Sequence, residues 1–310
     1  MQSYAFIFPG QGSQHAGMGK ELADNFKIAR ISFEEADDAL GFSLSRLCFE
    51  GPEEELKLTA NTQPAILAAS VAALRVLREE SAIAPSFLAG HSLGEYSALV
   101  ASGALDFADA LRTVRARGSF MQDAVPVGVG AMAAILGAEP EALQEICTEA
   151  AQGEVVSPAN FNSPGQIVVA GHTGAVNRAI EIAKAKGYRK AMLLPVSAPF
   201  HCALMKKAAE RLAEALEPVQ VNALSTPVVT NVEAKPNSDA ARVKPLLVEQ
   251  VCAPVLWDAI VQNIVAAGVT NFVEIGPGKV LAGLVKRIAK ETSSFNVQDP
   301  AGIKAITGGA

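Results

Sequence analysis

The sequence predicts an α/β fold in which helices cover both faces of a parallel sheet. Short strand patterns at residues 4–8 and 87–90 alternate with longer helical patterns, and this alternation is typical of parallel sheets. In the middle of the chain the order changes to β-α-β-β-α-β, which is the ferredoxin-like pattern. We therefore expect a large α/β domain that is interrupted by a small ferredoxin-like domain.

The first part of the chain supplies the strands and helices of the large domain. Residues 4–8 are a short aromatic and branched run that ends at a Pro-Gly pair. Apolar residues recur at helical spacing over residues 62–77, and Pro64 suits the first turn of that helix. Residues 87–90 form a second strand pattern that leads into a helix. Asp106 is expected to cap a further helix.

Residues 125–197 carry the pattern of the small domain. Strand patterns at residues 130–136, 155–160, 166–170 and 191–196 are interleaved with helical patterns at residues 139–151 and 173–186. The turn residues 162–165 (NSPG) separate the two central strands. We expect residues 125–197 to form the insert, and residues 1–124 and 198–310 to form the large domain.

After the insert, the features of the large domain return. A helix is expected to begin near Leu204, and strand patterns follow at residues 228–230 and 271–275, the second of which ends in Gly-Pro-Gly. From Ser293 onward the sequence gives no clear pattern.

Composition and charge exclude several classes of function. Of the 310 residues, 50% are hydrophobic and 19% are charged, and the net charge is −6. An acidic chain argues against nucleic acid as the main partner. The sequence contains no apolar run long enough for a membrane span and no signal peptide pattern. The four cysteines lack C-x-x-C spacing, so neither a zinc site nor a disulfide framework is expected, and we expect a cytoplasmic protein.

The most informative short motif is Gly90-His91-Ser92-Leu93-Gly94, which fits G-x-S-x-G. The motif alone would occur by chance in roughly one chain of this length in ten. Here it lies between a predicted strand and a predicted helix, which is the context of a nucleophile elbow. We therefore predict that Ser92 is a nucleophile; the alternative is a purely structural turn.

A serine nucleophile needs a base, and the chain has four histidines. His91 adjoins the serine across a sharp turn and is expected to line or pack the site, whereas His172 lies in a loop of the insert. His201 follows the junction at which the chain returns to the large domain, and such junctions line clefts. His15 lies in the loop after the first strand. From the residues alone, His201 and His15 both remain candidates.

The loop after the first strand, residues 9–14 (PGQGSQ), resembles a nucleotide-binding loop only superficially. Position 15, where G-x-G-x-x-G requires its third glycine, is His15, and the spacing of a P-loop fails as well. No nucleotide site is therefore expected. A glycine-rich loop at this edge of a parallel sheet can instead offer a backbone N–H to an oxyanion.

Three arginines, Arg112, Arg115 and Arg117, lie on the helix that Asp106 is expected to cap. Each of them could simply be solvated. The functional alternative is that one turns inward and holds a carboxylate with its planar fork of N–H donors.

Seven motifs, taken together and in order, resemble the malonyl-CoA:acyl carrier protein transacylase family. They are residues 8–14 (FPGQGSQ), 62–65 (TQPA), 90–95 (GHSLGE), 117–118 (RG), 160–164 (NFNSP), 200–201 (FH) and 274–278 (EIGPG). The resemblance spans nearly the whole chain. It implies a hydrolase-like large domain with a ferredoxin-like insert, in agreement with the element pattern.

The resemblance also implies which residues carry the chemistry. Ser92 matches the nucleophile and His201 its base. The backbone N–H groups of Gln11 and Leu93 match the oxyanion hole. Gln250 matches the position whose backbone carbonyl orients the histidine, so a neutral group is expected where a full triad has an acid.

Substrate-binding residues follow from the same comparison. Arg117 matches the residue that holds the malonyl carboxylate, and Gln63 and Asn162 match residues that line the pocket. Phe200 stands beside the histidine, where its ring is expected to crowd a branched methylmalonyl group. His91 is expected to line the same pocket.

The function implied by the resemblance is malonyl transfer from malonyl-CoA to the phosphopantetheine thiol of acyl carrier protein, by a ping-pong route through a malonyl-serine. This step would supply fatty acid elongation. Both partners are substrates, and no cofactor or metal, no nucleic acid and no membrane is expected; the protein is expected to be a monomer.

Because the carrier is acidic in this family, a basic patch near the pocket is expected at Arg189, Lys190, Lys286 and Arg287, although scattered solubilising charges would explain them equally well.

Three alternatives stay open. A serine thioesterase or esterase would use the same nucleophile and base but let water attack, and a non-catalytic carrier-binding subunit would not become acylated at all. Cys202, next to His201, could act as a second nucleophile, but a packed thiol is the simpler interpretation.

Overall fold

The computed structural model describes residues 3–196 and 198–308. Its larger sheet has six strands in the order β10-β9-β1-β2-β7-β8. All neighbours are parallel except β7 and β8, which are antiparallel. The strands are β1 (Tyr4–Phe8), β2 (Pro85–Gly90), β7 (Val228–Val229), β8 (Pro236–Asn237), β9 (Asn271–Ile275) and β10 (Ser293–Val297). The predicted α/β class with a parallel sheet is confirmed.

The second sheet is antiparallel and has the order β4-β5-β3-β6. Its strands are β3 (Gly130–Leu136), β4 (Val156–Ser163), β5 (Gln166–His172) and β6 (Ala191–Leu193). When the four strands of this sheet are numbered 1 to 4 along the chain, their spatial order is 2-3-1-4, which is the order that the β-α-β-β-α-β pattern predicts. β4 is longer than expected, so only Pro164 and Gly165 form the turn, and β6 is shorter than expected. Ser197, the last residue of the expected insert, lies outside the described residues.

Alternation along the strands gives the small sheet two buried faces. Ile135 and Val169 point into a cluster formed with the two helices of this region. Met132 and Val168 belong instead to the core of the large sheet and its helices. Because side chains alternate along a strand, one face of the small sheet forms its own core and the other becomes a wall against the rest of the molecule.

Fourteen α-helices are described. They are α1 (Lys20–Asn25), α2 (Lys27–Leu40), α3 (Leu44–Glu50), α4 (Glu53–Leu56), α5 (Thr59–Glu80), α6 (Gly94–Ala101), α7 (Phe107–Asp123), α8 (Pro140–Ala151), α9 (Thr173–Ala185), α10 (Lys206–Leu216), α11 (Ala240–Gln250), α12 (Trp257–Ala266), α13 (Val280–Ile288) and α14 (Pro300–Thr307). A 3₁₀ turn over Ala203–Met205 precedes α10, close to the expected start near Leu204. None of the helices in the described ranges is both long and apolar enough to cross a membrane.

The start of α5 differs from the prediction. The helix begins at Thr59, so Pro64 lies in its second turn instead of its first. Proline has no N–H, which leaves the carbonyl of Ala60 without its helical donor. The Arg115 guanidinium donates to that carbonyl at 3.1 Å. A side chain 55 residues away therefore makes the proline tolerable, and a local pattern cannot reveal such a contact.

The predicted cap at the start of α7 is confirmed. The Asp106 carboxylate accepts from the backbone N–H groups of Ala108 and Asp109 at 2.9 and 3.3 Å, which satisfies two of the free donors of the first turn. The cap fixes where α7 begins, and α7 carries the three arginines.

Candidate active site

The Ser92 turn connects β2 to α6. Ser92 has φ 52°, in the left-handed region that side chains rarely adopt. A Cβ on Gly90 would lie 2.0 Å from the carbonyl carbon of Gly94, and a Cβ on Gly94 would lie 2.2 Å from the carbonyl oxygen of Phe8. Both glycines of the motif are therefore required by close backbone approach, which is the geometry of a nucleophile elbow.

Asn231, in the turn that follows the neighbouring strand β7, holds the Ser92 turn. Its Oδ1 accepts from the backbone N–H of Ser92 at 2.7 Å, and its Nδ2 donates to the carbonyl of Gly90 at 2.6 Å. The motif did not point to Asn231. Its signal is its position just beyond β7, because carboxyl ends of parallel strands meet at one sheet edge.

His201 is the histidine that reaches Ser92. The distance between Ser92 Oγ and His201 Nε2 is 2.8 Å, and His201 Nδ1 lies 2.9 Å from the backbone carbonyl oxygen of Gln250. A carbonyl only accepts, so Nδ1 carries the proton and Nε2 is free to accept the serine proton. His15 lies elsewhere, with Nδ1 3.3 Å from the carbonyl of Ser13, and it does not line the cavity at Ser92.

The surroundings of His201 keep its ring neutral. Burial, followed by the positive charge of Arg117, lowers the pKa of His201 to about 3. The ring is therefore a base at neutral pH in the resting protein, and the imidazolium is disfavoured until a negative charge develops beside it.

Of the three arginines on α7, Arg117 turns inward. It is 1% exposed, and its Nη2 donates to Ser92 Oγ at 3.1 Å and to Gln250 Oε1 at 2.9 Å. Its Nη1 donates to Gln63 Oε1 at 2.7 Å. Its Nε has no hydrogen-bond partner among the described residues. A buried guanidinium with a spare donor beside the serine can bind an anionic group.

The other two arginines have partners outside the site. Arg112 pairs with Asp109 at 2.7 Å on the exposed face of α7. Arg115 donates to Ala60, as described above, and its guanidinium lies over the ring of Phe42, 4.7 Å from the centroid.

Glu95 is a second residue without a role predicted from the sequence, although it ends the motif at residues 90–95. Its Oε2 accepts from the backbone N–H of Asn231 at 3.0 Å and from Gln250 Nε2 at 2.7 Å. Burial raises the pKa of Glu95 to about 7, although these hydrogen bonds and the charge of Arg117 lower it. The carboxylate thus lies behind the serine, buried but supplied with donors.

Among the described residues, two that line the cavity together with Ser92 have unused backbone N–H groups. Those of Gln11 and Leu93 donate to no other group within residues 3–196 and 198–308, and both residues line the cavity. Leu93 directly precedes α6, so its N–H is one of the free donors at a helix start. The pair is available to an oxyanion at the serine.

The cavity at Ser92 has a volume of about 240 Å³ and lies between the two sheets. His91 and Asn162 close one side, with His91 Nε2 2.9 Å from Asn162 Oδ1. Phe200 is 8% exposed and lies on another wall. The small sheet contributes Met132 and Val168. Every side chain expected at the site therefore lies at this cavity, except that of Gln250, which is buried behind Arg117.

Helix α13 forms part of the cavity wall, and Glu274 fixes its start. The two carboxylate oxygens of Glu274 accept from the backbone N–H groups of Leu281 and Ala282 at 3.1 and 2.8 Å. Val280 and Leu284 of this helix face the cavity. The motif at residues 274–278 thus has a positioning role.

Cys202 is a packed thiol. It is buried, its Sγ donates to the carbonyl of Pro199 at 3.1 Å, and burial raises its pKa to about 12. A thiol with a raised pKa is a poor nucleophile, so the geometry gives no support to a second nucleophile.

Comparison with known proteins places the chain among acyltransferases. The family model described as "Acyl transferase domain" matches residues 5–305. A Malonyl CoA-acyl carrier protein transacylase from Salmonella typhimurium is 50% identical over 305 residues, covering 98% of this chain and 99% of the relative. The protein of that name from Bacillus subtilis strain 168 is 50% identical over 301 residues, 97% of this chain and 95% of the relative.

Solved structures agree with the sequence comparison. An acyl carrier protein S-malonyltransferase from Vibrio cholerae superposes with a TM-score of 0.96 at 49% identity, covering 98% of this chain and 100% of the other. A malonyl-transacylase in complex with its holo type II polyketide synthase acyl carrier protein superposes with a TM-score of 0.97 at 49% identity, covering 100% of both chains. Given these matches and the family model, the chain belongs to the malonyl-CoA:acyl carrier protein transacylase family.

Proposed function

We propose that the protein transfers a malonyl group from malonyl-CoA to the phosphopantetheine thiol of an acyl carrier protein, through a malonyl ester on Ser92. One observation carries the proposal: Ser92 Oγ lies within hydrogen-bond distance of both a neutral histidine nitrogen and a buried guanidinium. The first contact supports acylation of the serine, and the second supports an acyl group that carries a carboxylate.

In the first half-reaction Ser92 Oγ attacks the thioester carbonyl carbon and gives its proton to His201 Nε2. The negative charge on the carbonyl oxygen is stabilised by the backbone N–H groups of Gln11 and Leu93. When the tetrahedral intermediate collapses, the C–S bond breaks, and the CoA sulfur takes the proton from His201. The product is malonyl-Ser92 and free CoA.

The second half-reaction runs the same steps with the carrier thiol. The phosphopantetheine thiol gives its proton to His201 Nε2 and attacks the ester carbonyl. Ser92 Oγ leaves and recovers that proton. The orienting group on His201 is the carbonyl of Gln250 instead of a carboxylate, and it stabilises the imidazolium less than an aspartate would. In the first half-reaction the leaving group is a thiolate, which leaves readily, so the weaker support suffices for cleavage of the thioester.

Arg117 accounts for the choice of acyl group. A hydrogen bond to a charged partner contributes about 1.5–3 kcal/mol, and the malonyl carboxylate offers such a partner to the guanidinium. An acetyl group offers none. Gln63 holds the far side of Arg117, while Asn162, His91 and Phe200 shape the rest of the pocket and limit the space for a branched acyl group.

The basic patch for the carrier is defined by Arg189, Lys190, Lys286 and Arg287, all of which are exposed. Its two halves come from different elements but lie at one end of the small sheet. Arg287 Nη1 donates to Gln166 Oε1 at 2.6 Å. Gln166 pairs across the sheet with Leu136, whose backbone N–H donates to the carbonyl of Lys190 at 3.0 Å. Gln166 also lines the cavity, so the patch borders the cavity wall.

The two sheets belong to two domains with different roles. Residues 1–124 and 198–310 form the catalytic domain, and residues 125–197 form an insert that supplies one wall of the cavity and half of the basic patch. The reaction needs malonyl-CoA and the carrier as substrates and no cofactor. The protein is expected to act as a monomer in the cytoplasm.

The deciding experiment is intact-mass measurement after mixing with malonyl-CoA, followed by peptide mapping and addition of carrier protein. A malonyl adduct on the Ser92 peptide that moves to the carrier thiol would support the proposal. An adduct that decays to malonate at the same rate without carrier would indicate a thioesterase. Carrier binding without any adduct would indicate a non-catalytic subunit.

A further inference from the structure

A buried chain of hydrogen bonds runs from Glu95 through the side chain of Gln250 to Arg117. Gln250 Nε2 donates to Glu95 Oε2 at 2.7 Å, and Arg117 Nη2 donates to Gln250 Oε1 at 2.9 Å. All three residues are at most 2% exposed. The catalytic roles proposed above use only the backbone carbonyl of Gln250, so this side-chain connection has no role in them.

The partners of the Gln250 amide fix its orientation. One end faces two acceptors, Glu95 Oε2 and the backbone carbonyl of Ser92 at 3.1 Å. That end must therefore be the NH₂ group, since the Ser92 carbonyl cannot donate, and neither can Glu95 when it is ionised. The opposite end is then an oxygen, and it faces Arg117. Glu95, which makes the shorter of the two contacts, and the Ser92 carbonyl thus together orient Gln250 so that it presents an acceptor to the guanidinium.

Charge reinforces this arrangement. Arg117 is a fully buried cation, and a buried charge is costly unless an opposite charge and hydrogen bonds accompany it. Burial lowers the pKa of Arg117, whereas Tyr96 and Glu95 raise it, and Glu95 is the carboxylic acid of these two. The Gln250 amide lies between the two groups. Glu95 therefore offsets the positive charge of Arg117 without forming a direct ion pair that would occupy the guanidinium donors.

We propose that Glu95 is a positioning residue which, through the Gln250 side chain, holds the Arg117 guanidinium beside Ser92 with its remaining donors free for the carboxylate of the acyl group. This inference rests on the proposed role of Arg117 in malonyl binding. Glu95 itself touches neither the serine oxygen nor the acyl group. Its effect is therefore on selection of the acyl donor, exerted at a distance.

Asn231 provides a matched contrast. Its backbone N–H also bonds to Glu95, but its side chain bonds to the carbonyl of Gly90 and the N–H of Ser92 and makes no hydrogen bond to Arg117. Loss of the Asn231 side chain should impair the nucleophile for every acyl donor alike. Loss of the Glu95 side chain should impair malonyl transfer more than acetyl transfer.

The test measures the rate of Ser92 acylation by malonyl-CoA and by acetyl-CoA, using quenched mixing and intact mass. Glu95→Ala is expected to lower the malonyl-to-acetyl rate ratio by about tenfold or more, the size expected when a charged hydrogen bond is lost. Glu95→Gln keeps an oxygen that accepts both donors and should recover part of the ratio. Asn231→Ala should lower both rates and keep the ratio.

Gln250→Met keeps the test informative if Glu95→Ala does not fold. It removes the amide bridge but leaves the backbone carbonyl for His201, and it should lower the ratio as Glu95→Ala does. A ratio within about twofold of the wild-type value in a folded variant at either position would overturn the inference, as would an equal loss for both donors. Absence of malonyl preference in the wild-type protein would instead contradict the proposed function.

Discussion

Ser92 and His201 meet with Oγ and Nε2 2.8 Å apart, and both residues hold left-handed backbone conformations, with φ 52° and 60°. Such conformations cost on the order of 1–3 kcal/mol each and persist only where the surroundings enforce them. Asn231 enforces the first by bonding to the N–H of Ser92 and to the carbonyl of Gly90, on either side of His91. Strain at both members of one contacting pair is typical of a functional site, and several consequences can be measured.

The first prediction concerns Gly90, where any side chain would collide with backbone. Gly90→Ala places a Cβ 2.0 Å from the Gly94 carbonyl carbon, and neither strand nor helix can move away without displacing Ser92. We expect a loss of about 1–3 kcal/mol in unfolding free energy and a large loss of serine reactivity. Denaturant unfolding and labelling with phenylmethanesulfonyl fluoride would measure the two effects.

Gly283→Ala is the control for that substitution. Gly283 lies inside α13, and a Cβ there would meet nothing within 4 Å. Alanine is a better helix former, so a gain of about 0.5–1 kcal/mol is expected. If Gly90→Ala were as stable and as reactive as the wild-type protein, the close approach of the two glycines would not be a requirement of the site.

Local patterns in the sequence indicated Ser92, but they left the choice between His201 and His15 and the choice among the three arginines open; the resemblance to one family supplied those residues. Ser92 lies in a short motif between a strand and a helix, and both of those elements are visible from periodicity. Asn231 lies in none of the seven motifs, and Glu95 lies in the motif at residues 90–95 but was given no role there. Asn231 lies 139 residues from the serine turn that it holds. Contacts of this kind depend on strand order, which short-range spacing does not determine.

Dependence on distant contacts also explains where the prediction of the fold failed. The prediction for Pro64 was wrong because a distant arginine satisfies the carbonyl that the proline leaves free. Strand β10 gave no clear pattern because it lies at the edge of its sheet, where three of its five residues are partly exposed and the apolar signal is weak. The order β-α-β-β-α-β was predictable because each of its elements has its own buried face.

Arg117→Ala tests the basis of acyl selection. The variant should acylate Ser92 from malonyl-CoA about 10- to 150-fold more slowly, which corresponds to about 1.5–3 kcal/mol. Acetyl transfer should fall much less, because acetyl offers the guanidinium no partner. Arg112→Ala, on the exposed face of the same helix, is the control and should behave like the wild-type protein. An unchanged malonyl preference in Arg117→Ala would remove Arg117 from the proposed mechanism.

The pH dependence of serine labelling tests the low pKa of His201. Burial and the charge of Arg117 lower that pKa to about 3, so the ring stays neutral, and able to accept a proton, at every pH above that value. Labelling by phenylmethanesulfonyl fluoride, which has no carboxylate, should therefore show no histidine titration between about pH 5 and 8. His201→Ala should react slowly throughout. A fall in rate with a midpoint near pH 6.5 would show that the histidine has an ordinary environment.

Phe200 is expected to exclude branched acyl groups. Its ring is buried in the cavity wall next to His201, so Phe200→Ser should open space for the extra methyl of methylmalonyl-CoA. The discrimination against one methyl in such a pocket is about 1–3 kcal/mol, and the methylmalonyl-to-malonyl rate ratio should rise accordingly. Phe161→Ser, on a strand of the small sheet but outside the cavity, should leave the ratio as it is. No rise in Phe200→Ser would place the source of selectivity elsewhere.

The last prediction concerns the basic patch and uses protein in which Ser92 already carries the malonyl group. Lys190→Glu combined with Lys286→Glu reverses charge on both halves of the patch, so transfer to an acidic carrier at subsaturating concentration should slow several-fold. The effect should shrink as salt is raised, because screening weakens attraction between exposed charges. Arg46→Glu, exposed on α3, makes a charge change away from the cavity and should have little effect. Transfer rates that change neither with salt nor with charge reversal would mean that these four residues only keep the protein soluble. The carrier would then reach Ser92 over another part of the surface.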